Sequence, residues 1–80
     1  MTEQQYNSLL PHKLIVDAMY DCLDKGLQLP SAPSFLINTM IDIKDNVTGQ
    51  KPTDKSCGAC VTEAVKDTLR MYKAYENTIS

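Results

Sequence analysis

The sequence predicts an all-α fold, a small three-helix bundle with a short N-terminal helix or arm. Three observations predict it. Apolar residues recur at helical spacing in three separate stretches. Proline and glycine divide those stretches at Pro11, Gly26, Pro30, Pro33, Gly49 and Pro52. The chain has 80 residues, which is room for one domain. Helices that each carry one apolar face close a core by packing those faces together.

A first segment, about Thr2–Leu10, stops before Pro11 and places Tyr6, Leu9 and Leu10 at helical spacing. The second helix spans about Pro11–Lys25. Proline suits a first helical position because its missing N–H would be unpaired there anyway. Ile15, Ala18, Met19 and Cys22 form an i, i+3, i+4, i+7 stripe, widened by Val16 and Leu23. Asp17, Asp21 and Asp24 form the opposite, solvated face. Gly26 reads as a left-handed cap, with Leu27 placed to fold back on the last turn.

Two prolines in Leu29–Pro33 make a stiff connector. The third helix, about Pro33–Val47, carries Leu36, Met40, Ile43 and Val47 on one stripe, flanked by Ile37 and Ile41. Its β-branched residues favour a strand, but the alternation is wrong for a half-buried one. After a polar loop, Thr48–Lys55, Ser56 is a good N-cap for a long last helix, about Cys57–Asn77. Val61, Ala64, Val65, Thr68, Leu69, Tyr72 and Tyr75 form its inner face. Glu63, Lys66, Asp67, Arg70 and Lys73 form the outer one.

Length and charge exclude several functions. A domain this small buries roughly 60–65% of its unfolded surface, so its core supplies a stability of about 3–5 kcal/mol. Large cofactor-binding α/β enzymes need far more chain. The formal net charge is −2. Residues 1–49 sum to −3 and residues 50–73 to +2. A general nucleic-acid binder carries a strongly basic face, and this chain lacks that surplus. The contrast between its parts can instead help copies or partners dock in register. The polar start, Met1–Gln5, has no basic n-region and no apolar h-region, so no signal peptide is expected. No stretch is long enough to span a bilayer. Synthesis in a cytoplasm is the expectation. The sequon Asn46-Val47-Thr48 is idle without secretion.

Ser56-Cys57-Gly58-Ala59-Cys60 is the one local motif with chemical potential. A CxxC at a helix N-terminus suits thiol–disulfide exchange, because the helix dipole and free N–H groups stabilise a thiolate. A redox fold would place it after a buried strand, and here a polar loop precedes it. The second reading is zinc, with Cys22, Cys57 and Cys60 as ligands. The fourth ligand is the difficulty. His12 lies ten residues before Cys22, roughly 15 Å along a helix. The third reading is three thiols packed in the core, since free cysteine behaves as a small hydrophobe. An odd cysteine count argues against a complete internal disulfide framework, although Cys22 could bridge one of the others outside a reducing compartment.

His12 reads as a solvated helix-start residue rather than a catalytic base. Lys66, Arg70 and Lys73 are interleaved with Glu63 and Asp67, which favours ion pairs within the helix over phosphate contacts. No catalytic set is visible, and no cofactor is expected apart from the zinc alternative. Tyr6, Met71, Tyr72 and Tyr75 offer apolar area in excess of a small core, which marks them as a partner-binding surface.

The stretches Val47-Thr48-Gly49-Gln50-Lys51-Pro52, Lys55-Ser56-Cys57-Gly58-Ala59-Cys60 and Arg70-Met71-Tyr72 resemble small helical accessory or structural proteins of tailed bacteriophages of gut bacteria, including crAss-like ones. The resemblance implies a virion component of capsid-decoration or connector type, or an early protein acting in the host. It brings no catalytic residues. The expected function is a non-enzymatic helical interaction protein. It docks to copies of itself or to a larger viral assembly, without nucleic acid or membrane. A zinc-stabilised binding module and a thiol redox protein are the alternatives.

Overall fold

The computed structural model describes residues 1–49 and 52–79. Gln50 and Lys51 of the predicted loop, and Ser80, lie outside them. The chain forms α1 (Glu3–Leu9), a 3₁₀ turn (Leu10–His12), α2 (Lys13–Asp24), α3 (Ser34–Thr48) and α4 (Gly58–Ile79). There is no strand among the described residues. The architecture is the expected small all-α bundle with a short N-terminal helix.

Local chemistry accounts for the helix ends. Thr2 caps α1 through a reciprocal pair of bonds. Its hydroxyl accepts from the Gln5 N–H at 3.1 Å, and the Gln5 side chain accepts from the Thr2 N–H at 2.9 Å. Pro11 does not end the helical path. The backbone tightens through a 3₁₀ turn that absorbs the missing N–H and runs straight into α2. At the end of α2, Gly26 adopts φ +72. The Leu27 N–H reaches the Cys22 carbonyl at 2.8 Å, and the Gly26 N–H reaches that of Leu23 at 3.2 Å. These two bonds are the Schellman pattern. The Leu27 side chain, expected to fold back on the last turn, is instead exposed. Gly49, at φ +63, ends α3 in the same left-handed region.

Helix α4 is the spine of the bundle, with α3 and α2 packed on it and meeting each other far less. Its inner face is the predicted one. Ala64, Val65, Thr68, Leu69 and Tyr72 are buried, with Val61 and Tyr75 half-buried at its ends. On α3 the buried set is Leu36, Met40, Ile41 and Ile43, while Val47 is exposed. The Thr68 hydroxyl lies 2.8 Å from the Met40 carbonyl across the α3–α4 contact and 2.8 Å from the Ala64 carbonyl in its own helix. A buried hydroxyl is thereby satisfied.

Helix α2 is rotated from expectation by about one residue. Val16 and Met19 are buried, and Tyr20 and Leu23 pack beside them. This is also an i, i+3, i+4, i+7 stripe, and it buries more apolar area than the one containing Ala18, which is exposed. The rotation turns Asp17 away from open solvent. Its carboxylate pairs with Lys13 at 3.0 Å and accepts from the buried Tyr72 hydroxyl at 3.0 Å.

Helix α1 folds over the C-terminal part of α4. The Tyr6 ring stacks on Tyr72, with centroids 5.3 Å apart, and lies 5.0 Å from Tyr75. The Tyr6 hydroxyl donates to Glu76 at 3.2 Å. Gln5 also reaches α3, donating to the Asn46 side chain at 2.9 Å.

Candidate functional site

The segment leading into α4 is held in place by two aspartates. The Asp45 carboxylate, on α3, accepts from the Thr53 N–H at 3.0 Å and from its hydroxyl at 2.6 Å. These bonds hold the Asp45 carboxyl below the usual carboxylate range. Asp54 accepts from the Ser56 hydroxyl at 2.6 Å and from its N–H at 2.9 Å. The Asp54 carbonyl accepts from the Cys57 N–H at 3.1 Å. Cys57 is thereby delivered to the start of α4 in a defined turn.

Ser56 does not cap the helix, because its hydroxyl is engaged by Asp54. Cys57 takes that place. Its carbonyl accepts the first helical bond, from Val61 N–H at 3.0 Å, and its sulfur accepts from the Cys60 N–H at 3.3 Å. The Cys60 side chain, followed by its backbone N–H, lowers the Cys57 pKa, against burial and the Asp54 charge. The same contact, together with burial, raises that of Cys60. The pair is therefore polarised, with Cys57 the readier thiolate.

Cys60 lines an open cleft of about 500 Å³ between the loop, α3 and α4. Lys44, Asp54 and Glu63 supply its charged rim, over a lining that includes Pro52 and Ala59.

The metal reading is not assembled. All three cysteines are free thiols. No group of three or more His, Cys, Asp or Glu side chains that could hold a metal ion comes together among the described residues. Cys22 lies on α2 and joins no such group with Cys57 and Cys60. The expectation of three core-facing thiols also needs correction. Cys22 and Cys57 are half-buried and Cys60 is exposed. The rotation of α2 turned Cys22 off the core stripe, and the cap placed Cys57 and Cys60 at the rim.

Of the expected partner-binding set, Tyr6 and Tyr72 lie inside the domain. Tyr72 is 0% exposed and Tyr6 7%. Met71 and Tyr75 are half-buried against the core. Helix α1 covers this end of α4, so the aromatic surplus is spent inside the domain. Large apolar side chains are exposed at several places: Leu14 is 89% exposed, Leu27 60%, Ile79 57%, Phe35 56%, Val47 42% and Leu10 37%. The His12 ring packs edge-on against Phe35 at 5.0 Å. Leu10 and Leu14, four residues apart and each two from His12, share the helical face turned away from that contact and form an exposed apolar corner that the spacing did not mark. Phe35 and Leu10 had a sequence signal in the form of large apolar residues at helix starts. Leu14 had been legible only as part of an aliphatic run.

Of the interleaved charges on α4, Arg70 meets Asp67 at 3.0 Å, whereas Lys73 meets Glu76, outside the expected set, at 3.3 Å. No helix among the described residues is long and apolar enough to cross a membrane. The fold and these two surfaces define a small helical bundle with an apolar corner and a dithiol at the head of its longest helix. No protein-family profile, no curated protein and no solved structure matches the chain.

Proposed function

We propose that this chain is a non-enzymatic helical interaction protein, and that it docks onto a second copy of itself through the corner formed by Leu10 and Leu14. The observation that carries this reading is the 89% exposure of Leu14 one helical turn from the exposed Leu10. Large apolar side chains gathered at one place mark an interaction surface, whereas single ones are ordinary. The core of the domain supplies no use for them, since the fully buried set already closes around α4.

A second copy fits this corner because an apolar patch is complementary to itself, as a two-fold interface requires. The opposite net charges of residues 1–49 and 50–73 add long-range attraction between copies. The resemblance to tailed-phage accessory proteins supplies the setting: a small virion component, of decoration or connector type, that acts as part of an array.

Size-exclusion chromatography with light scattering, run over a concentration series, tests the reading. The wild-type chain is expected to grow in mass with concentration, and Leu14→Glu to stay monomeric. A wild-type monomer throughout the range contradicts self-docking. If that monomer co-fractionates with virions, the corner serves a larger partner instead.

A further inference from the structure

We propose that Cys57 and Cys60 form an exchange-active dithiol that reacts with low-molecular-weight disulfides and closes to an intrachain disulfide at the head of α4. Four observations carry it. The two residues sit three apart at the start of a helix, where side chains at that spacing are neighbours, about 5–6 Å apart between Cβ atoms. A disulfide needs about 3.8 Å, so closure draws the cap and first turn of α4 together by about 1–2 Å of backbone movement. The Cys57 sulfur already faces Cys60, accepting its N–H at 3.3 Å. Both sulfurs are accessible, since Cys60 is exposed on an open cleft and Cys57 is only half-buried. The approach to the helix is braced by Asp45 on Thr53 and by Asp54 on Ser56, which keeps Cys57 in the capping position.

The helix N-terminus places unpaired N–H groups and the positive end of the dipole at Cys57. The charges facing the pair are mixed. Asp54 and Glu63 oppose a thiolate, and Lys44 across the cleft favours one. The Cys60 N–H, bonded to the Cys57 sulfur, favours thiolate there.

The reaction is a two-step exchange. The Cys57 thiolate attacks one sulfur of a disulfide RSSR, the S–S bond breaks, and the first RS⁻ leaves and takes a proton from water. Cys60 then gives its proton to solvent and attacks the Cys57 sulfur. The mixed disulfide breaks and the second RS⁻ leaves. Two cysteine thiols are oxidised, and one RSSR is reduced to two RSH. Closure covers the cap of α4 and leaves the Leu10–Leu14 corner untouched, so this chemistry stands or falls separately from self-docking.

The test incubates the full-length chain with oxidised glutathione at neutral pH, quenches with acid and reads intact mass and peptide maps. The wild type is expected to lose two hydrogens, with Cys57 and Cys60 joined in one peptide. Cys60→Ser is expected to accumulate a glutathione adduct at Cys57. Cys57→Ser is expected to react at Cys60 several-fold more slowly. In the unmodified chain, brief iodoacetamide treatment is expected to label Cys57 ahead of Cys60 and Cys22, a readout that needs no variant to fold. The proposal is overturned if the wild-type pair stays reduced in excess oxidised glutathione. It is equally overturned if Cys60→Ser carries its adduct at Cys22 alone, or if Cys57 is alkylated no faster than Cys60.

Discussion

Lys13 and Glu76 lie 3.2 Å apart, and around that pair the first helices are tied to the end of the last. Lys13 also donates to the Tyr72 hydroxyl at 3.3 Å. Glu76 in turn accepts from Tyr6 at 3.2 Å and from Lys73 at 3.3 Å. Lys73 sits over the Tyr20 ring, 5.5 Å from its centroid. Asp17, Glu76 and Tyr72 together raise the Lys13 pKa. Burial raises that of Tyr72, reinforced by Asp17, so the phenol stays protonated.

Acid should loosen this junction. Burial alone would raise the Glu76 pKa, but the bonds from Lys13 and Lys73 outweigh it and hold it at about 2. A carboxyl with a depressed folded-state pKa contributes stability that is fully present above its unfolded value, about 4.3 for Glu. That contribution is lost as pH falls from there toward about 2. Thermal melts followed by circular dichroism should show Tm dropping through that window. In Glu76→Gln the drop should be smaller, starting from a neutral-pH stability lower by about 1 kcal/mol.

The rotation of α2 is tested by a pair of substitutions. Val16→Ala removes buried methyl groups and should cost about 1–3 kcal/mol. Ala18→Glu, on the face that periodicity alone assigns to the core, should change stability by less than about 0.5 kcal/mol. Urea titrations of both variants compare them directly. A severe loss in Ala18→Glu would restore the unrotated stripe.

Gly26→Ala isolates backbone strain. A Cβ at Gly26 would meet no atom within 4 Å, yet φ is +72. The whole effect is therefore conformational, a destabilisation of about 1 kcal/mol. For a domain this size that lowers Tm by roughly 4–8 °C, measurable by differential scanning calorimetry. A neutral outcome would mean that α2 does not end in the left-handed turn.

Leu69→Ala probes the spine. Leu69 is fully buried on α4, and its truncation should cost about 2–5 kcal/mol. That is comparable with the whole stability expected of so small a core. The variant should be largely unfolded at room temperature by circular dichroism.

Much of this was legible in the residues. The inner face of α4 and the left-handed turn at Gly26 follow from spacing and from glycine's conformational freedom. Three features were not legible, each for a physical reason. Two stripes on α2 satisfy the same periodicity, and only the packing of Val16 and Met19 and the bonds from Asp17 to Tyr72 and Lys13 choose between them. The burial of Tyr6 depends on α1 returning across the whole chain to α4, a long-range contact that no local pattern encodes. At the head of α4, Ser56 and Cys57 compete for one cap, and the bond between Asp54 and Ser56 decides it.

The central claim is that copies of this chain meet at the Leu10–Leu14 corner. Backbone-amide chemical shifts of the labelled chain, followed by NMR over a dilution series, test it most directly. The account predicts concentration-dependent shifts centred on Leu10 and Leu14, abolished in Leu14→Glu. Shifts centred instead on Met71 and Tyr75, or none at any concentration, would contradict it.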